Sequence, residues 1–362
     1  MTAPLNAPFP YFGGKRRAAQ LVWDALGDPG GYVEPFCGSA AVLLARPRFT
    51  GRRVETLNDA DGWLVNTWRA IQHAPDQVAT HAHGPVTEID YHARLAWLQE
   101  RRGPDLIAWL EGDPEAHDPK AAGWWLYVAA CGIGDPWGPG PWRIIDGHLR
   151  NTRELPHLGN AGRGVNRELP HLGDAGRGVN RELPHLGDAG RGVNRKLPHL
   201  GNAGQGVNRE LPHLGDAGQG AERLTAYMRA LADRLTRVRI TCGDWQRVLK
   251  PSVLRATATN PAIGIFLDPP YEVGADLYAA TTDSDISAQV RAWCTSANGY
   301  RIVLAGYDQD HDALLELGWT KTEGKAGGGA GYNTDPKAGR RERLWLSPEC
   351  HIAQPDLFGS AS

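Results

Sequence analysis

Apolar residues along this chain follow two spacings, and segments of each kind alternate. Short strand-like runs occur at Tyr32 and Val33, within 54–61, at 238–241, at 263–267 and at 302–305, with two more at 319–323 and 343–346. Between them lie segments with helical spacing. These fall at 16–26, from Ala40 with Ser39 as its expected cap, at 62–72, at 222–235, at 285–297 and at 308–317. In 222–235 the repeating face is Leu224, Tyr227, Met228, Leu231 and Leu235, and in 285–297 it is Ile286, Val290, Trp293 and Ala297. Strands that alternate with helices predict an α/β fold, a mostly parallel sheet covered on both faces.

The alternation breaks between 73 and 221. A helix is expected at 88–102, with Leu95 and Leu98 on one side, and a more buried one at 121–131, whose Trp124, Trp125 and Tyr127 read as core. The next stretch, CGIGDPWGPGPW at 131–142, has too much glycine and proline for a regular element and is read as a loop facing the site. Residues 152–221 are five consecutive copies of a fourteen-residue unit close to NRELPHLGDAGRGV, starting at Thr152, Asn166, Asn180, Asn194 and Asn208. Three glycines and a proline per copy exclude a helix. Two readings stay open: turns stacked on a shared face, or a tandem duplication in a surface loop. The histidines His157, His171, His185, His199 and His213 stand alone in their copies, so no metal is expected there.

Composition narrows the possibilities without choosing among them. The 362 residues carry a net charge of −2, so any nucleic-acid contact must come from local patches such as the glycine-, lysine- and arginine-rich 324–341. Cys37, Cys131, Cys242, Cys294 and Cys350 form no CxxC pair, which argues against a zinc cluster or a disulfide framework and fits a reducing cytoplasm. No run is long enough to span a membrane and the N-terminus has no signal-peptide core, so a cytoplasmic location is expected.

Candidate chemistry collects at the carboxyl ends of the expected strands, where open α/β sheets bind ligands. The strand at 263–267 runs into Asp268-Pro269-Pro270-Tyr271. An aromatic amine such as N6 of adenine is a poor nucleophile, because its lone pair is delocalised into the ring. Asp268 and a carbonyl of the rigid Pro269-Pro270 turn can accept its two hydrogens, and Tyr271 offers a face for a base taken out of its stack. The strand at 32–33 leads into Glu34-Pro35-Phe36-Cys37-Gly38, a tight turn without GxGxxG or a Walker lysine, which suits an adenosine-bearing ligand better than a pyrophosphate. Asp59, with Asp61 as the spare, stands where a ribose diol is taken in such sheets, the competing reading being a helix cap. Asp244 can bond an exocyclic amine and Trp245 can pack on a ring. The start PFPYFGGK places Tyr11 and Lys15 around two glycines, either near a ligand or in a turn packed on the core.

FGGK at 12–15, YVEPFCGSAAVLL at 32–44, LNDAD at 57–61, CGDW at 242–245 and DPPY at 268–271, in that order, resemble the motifs of the Dam-type, alpha-group DNA adenine N6-methyltransferases. The resemblance covers the chain outside the repeats. It implies a Rossmann-like sheet of seven strands whose final hairpin contributes an antiparallel strand, with a recognition region inserted before DPPY. It also implies S-adenosyl-L-methionine as cofactor and double-stranded DNA as partner. By the same resemblance Tyr11 and Lys15 are cofactor contacts, Glu34 to Gly38 the loop under the methionine moiety, Asp59 the ribose contact, Asp244 the adenine contact, and Asp268 to Tyr271 the catalytic tetrapeptide. The domains expected are then 1–72 with 222–350 as the catalytic domain, 73–151 as the helical part of the recognition region, 152–221 as repeats and 351–362 as a tail.

Two other classes remain beside this one. A methyltransferase acting on RNA or a protein amide would share the sheet, although Asp268 is usually Asn in those relatives. A silent DNA-binding protein built around the repeats is the other, and intact Asp59, Asp268 and Tyr271 speak against it. In the tail, Gln354, Leu357 and Phe358 resemble the short peptides that dock on bacterial sliding clamps, a possible second partner.

Overall fold

The computed structural model describes residues 5–9, 11, 15–132, 142–145, 148–151, 219–257, 262–270, 286–307, 309–323 and 342–351. Repeat residues 152–218, the loop 133–141, Tyr271, the stretch 324–341 and the tail with Gln354, Leu357 and Phe358 lie outside them.

A 3-10 turn, Lys15–Arg17, leads into α1 (Ala19–Leu26), then β1 (Gly31–Glu34), α2 (Ala41–Leu44), β2 (Val54–Asp59) and α3 (Gly62–His73). Four helices follow, α4 (Pro75–Ala82), α5 (Glu88–Glu100), α6 (Pro104–Gly112) and α7 (Pro119–Cys131), and then a hairpin of β3 (Trp142–Ile145) and β4 (His148–Asn151). α8 (Gln219–Leu235) begins within the last three residues of the fifth copy, earlier than the expected 222, and is followed by β5 (Val238–Cys242), α9 (Pro251–Thr257), β6 (Ile263–Leu267), α10 (Ile286–Ser296), β7 (Arg301–Tyr307), β8 (Thr320–Glu323) and β9 (Glu342–Leu346).

Seven strands form one sheet in the order β5-β2-β1-β6-β7-β9-β8. β5, β2, β1, β6 and β7 pair in parallel, and β9 runs antiparallel to both β7 and β8. This is the expected α/β, Rossmann-like sheet, and the terminal hairpin supplies its single antiparallel strand. Every residue of β1 and β6 is buried, because these two strands are covered on both faces. Tyr32 and Phe266 point into the larger core with Trp23, Leu57 and Trp68. Val33, Ile265 and Leu267 point into the smaller one with Trp245 and Trp345. β5 buries alternate residues, as an edge strand does.

The helices after α3 extend the larger core instead of forming one of their own, since Leu98, Leu126 and Val128 join the same cluster as Tyr32. α7 crosses α4 closely at Gly123, where a Cβ would stand 2.4 Å from the Cβ of His81. Buried Arg69 of α3 ties this region to the sheet edge, donating to the carbonyls of Ile240 (3.0 Å), Leu110 (2.9 Å) and Asp113 (3.0 Å). At the other end of β2, buried Glu55 accepts from Arg46 at 3.1 Å and from Arg234 at 2.7 and 2.9 Å.

Several expectations need correction. α2 is capped by Ala40, which is left-handed at φ 50°, and Ser39 makes no cap there. The helix expected at 308–317 is a 3-10 turn, Asp312–Leu317. α4, α6, α9 and the β3–β4 hairpin were not anticipated.

Candidate active site

The strand order reverses between β1 and β6, and both strands end in acids, Glu34 and Asp268, beside that reversal. A crevice outside the carboxyl ends of the strands at such a point is the standard ligand position of open α/β sheets. β2 brings Asp59 to the same edge, and the turn after β5 brings Asp244.

Glu34 is buried and accepts a hydrogen bond from the Tyr32 hydroxyl at 2.9 Å. Burial pushes its carboxyl up to about 8, and the negative charges of Asp268 and Asp59 add to the effect. The chain then turns through Pro35, Phe36 and Cys37 to Gly38, whose φ of 45° favours glycine. Any side chain there would also meet Tyr11, because a Cβ would lie 2.6 Å from its ring. The two halves of the expected cofactor contact, Tyr11 and the glycine turn, are thus in contact. The Gly38 carbonyl accepts from the Trp68 indole at 3.0 Å, which fixes the turn from below.

Asp59 is held by main-chain donors, the Gly38 N–H to Oδ2 and the Asp61 N–H to Oδ1, each at 3.0 Å. The Ala60 N–H and the Cys37 thiol also act on this carboxylate. Desolvation raises this carboxyl to about 6 despite those donors. Asp61 is the helix cap: it accepts from the N–H groups of Trp63 and Leu64 and pairs with Arg102 at 2.7 Å. The cap reading raised for this region therefore falls to Asp61, which leaves Asp59 without a cap role.

Asn58 joins two turns and β5 and was not singled out in the sequence. Its amide donates to the carbonyls of Pro35 (3.1 Å) and Gly243 (2.9 Å), and its oxygen lies 2.9 Å from the Thr241 hydroxyl. Asp244, exposed just beyond Gly243, caps its own 3-10 turn by accepting from the Gln246 N–H at 2.8 Å. Trp245 differs from expectation. It is buried in the smaller core, with its ring centroid 5.8 Å from that of half-buried Phe36, so Phe36 is the ring of this pair with surface to offer.

After β6, Asp268 is half-buried, Pro269 buried and Pro270 half-buried. Lys15, buried in the opening 3-10 turn, places its ammonium 2.9 Å from Asp268 Oδ2 and 2.7 Å from Glu342 Oε1. Tyr307, at the end of β7, senses the same three charges, and its hydroxyl is raised mainly by burial. Glu342 and Tyr307 were missed. The available signal was slight: Glu342 is a single acid inside the basic run GRRER.

Neither a family model nor a curated protein matches this chain. The site therefore rests on its own geometry: four carboxylates at one sheet edge, a tight glycine turn under Tyr11, and one buried lysine bound to the acid that follows β6. Among the described residues no helix is long and apolar enough to cross a membrane.

Proposed function

We propose that the protein transfers a methyl group from S-adenosyl-L-methionine to N6 of adenine in double-stranded DNA. The observation that carries this reading is the position of Asp268, which follows β6 at the topological reversal and shares one sheet edge with Asp59 and the Gly38 turn. An adenosine-bearing sulfonium fits that edge: the Asp59 carboxylate suits the ribose diol, Asp244 the adenine amine, and the turn from Glu34 to Gly38 lies where the methionine moiety would rest. The bound cofactor would supply an electrophilic methyl whose departure leaves a neutral thioether. The protein's part is positioning. Asp268 accepts a hydrogen bond from one N6 hydrogen and the Pro269 carbonyl from the other, directing the lone pair; as the N–C bond forms and the S–C bond breaks, N6 becomes cationic and releases its surplus proton to solvent, while Tyr271 stacks on the extruded base by the resemblance above.

The test is methyl transfer from labelled S-adenosyl-L-methionine to DNA, RNA and protein in parallel, followed by analysis of the hydrolysed product. The expected product is N6-methyladenine from DNA, lost by about a hundredfold or more in Asp268→Ala. Label in RNA or in protein glutamine would replace the DNA reading, and no transfer to any of the three would remove it. Docking of Gln354, Leu357 and Phe358 on a sliding clamp belongs to the same proposal, and a pulldown with the wild-type tail tests it.

A further inference from the structure

We propose that Glu342 is a positioning residue for methyl transfer, acting on the Asp268 carboxylate through Lys15. The proposal rests on the methyltransferase reading above. Three distant pieces of chain meet at one buried ammonium. Lys15 comes from the turn before α1, Asp268 from the end of β6 and Glu342 from the start of β9, at 2.9 and 2.7 Å respectively. The lysine is 5% exposed, so neither ion pair is a solvent-screened surface contact.

A lysine facing Asp268 alone would spend its charge on that carboxylate and weaken it as an acceptor for the substrate amine. With Glu342 on its other side, the same ammonium is shared, and its tetrahedral donors fix both carboxylates in direction. Glu342 is itself fixed, because it pairs with Tyr307 in the antiparallel ladder between β9 and β7. The antiparallel strand therefore serves as the reference against which Asp268 is placed. The other titratable groups felt in this neighbourhood are Glu34 from β1, Asp59 from β2, and Tyr307 and Asp310 from the end of β7 and the turn after it. Among these described groups all are acidic or neutral, and Lys15 is the cation placed against Asp268.

The experiment measures kcat against pH for wild type, Glu342→Gln, Lys15→Gln and the double variant, with cofactor affinity from calorimetry. Glu342→Gln should lower kcat by about ten- to a hundredfold with cofactor Kd little changed. Its acidic limb should move to lower pH, because Lys15 then serves Asp268 alone. Lys15→Gln should move the limb to higher pH. The double variant should lose less than the two single losses combined, since both residues act on the same Asp268 carboxylate. Unchanged kcat and pH profile in Glu342→Gln, or a double variant whose losses simply add, overturns the proposal. Should Glu342→Gln not fold, Glu342→Asp, which withdraws the charge by one methylene, takes its place with a smaller loss expected and the same refuting result. A wild type that methylates no substrate would remove the reaction reading and this role with it, whereas an active wild type with an unaffected Glu342 variant removes this role alone.

Discussion

Replacing Asn58 with alanine should loosen the crevice without touching any group assigned to chemistry. The side chain donates to two carbonyls on buried residues, Pro35 and Gly243, and accepts at 2.9 Å from the Thr241 hydroxyl. A buried polar group left without its partner costs about 1–3 kcal/mol, and two carbonyls lose theirs together. Thr241 keeps a second acceptor, the Leu57 carbonyl at 3.1 Å, so the third bond adds little. The sum is about 2–4 kcal/mol after some relaxation towards water at the crevice mouth. Because Pro35 leads the turn to Gly38 and Gly243 precedes Asp244, cofactor affinity should also fall, by about tenfold or ~1.4 kcal/mol. Urea unfolding followed by circular dichroism gives the first quantity and titration calorimetry with S-adenosyl-L-methionine the second. A loss below about 0.5 kcal/mol would show that the loops hold together without this amide, a cost typical of surface changes. Full affinity in a destabilised variant would separate the loops from the cofactor.

Other outcomes follow from the buried charges and from the repeats. Arg234→Met leaves Glu55 with Arg46 alone and should destabilise by about 3 kcal/mol, read from denaturant midpoints. Glu34 has a folded value of about 8 against an ordinary 4.5, so the folded state holds its proton longer. The stability this contributes is complete below pH 4.5 and is lost as pH rises through 8; Glu34→Gln should flatten that window in unfolding measurements. Removing two whole copies of the fourteen-residue unit should leave cofactor affinity unchanged while DNA affinity falls and its salt slope becomes shallower, since each copy carries an arginine near its start. Unchanged DNA affinity and slope in filter-binding titrations would make the repeats a passive expansion.

The central strands were legible because IGIFL and the acids at strand ends admit few other readings, and β1, β2, β5, β6 and β7 lie where the apolar runs put them. α4 and α6 were hidden by their own first residues. Pro75 and Pro104 read as breakers in sequence, yet proline is well suited to the first helical turn, where its missing N–H has no partner to lose. The hairpin after α7 was obscured by the glycine and proline before it, although Asp146-Gly147 is a strong turn signal between Ile144-Ile145 and Leu149. Ser39 failed as a cap because the chain first passes through left-handed Ala40, a conformation local propensity does not foresee. In the site, acids could be placed by strand position, whereas the Lys15–Glu342 pair could not. Its partners come from opposite ends of the chain and meet only through sheet order.

Arg69 has a consequence for anyone who would re-engineer this enzyme candidate. Its guanidinium spends its hydrogen bonds on main-chain carbonyls from α6, from the turn after it and from β5. Cutting out the helices after α3, or grafting different helices in their place, would leave this buried cation with only the Ile240 carbonyl of those three partners. A workable chimera must therefore import matching carbonyls or exchange Arg69 for an apolar side chain in the same step, so the seam for module swapping runs through α3 and not through the loop that follows it.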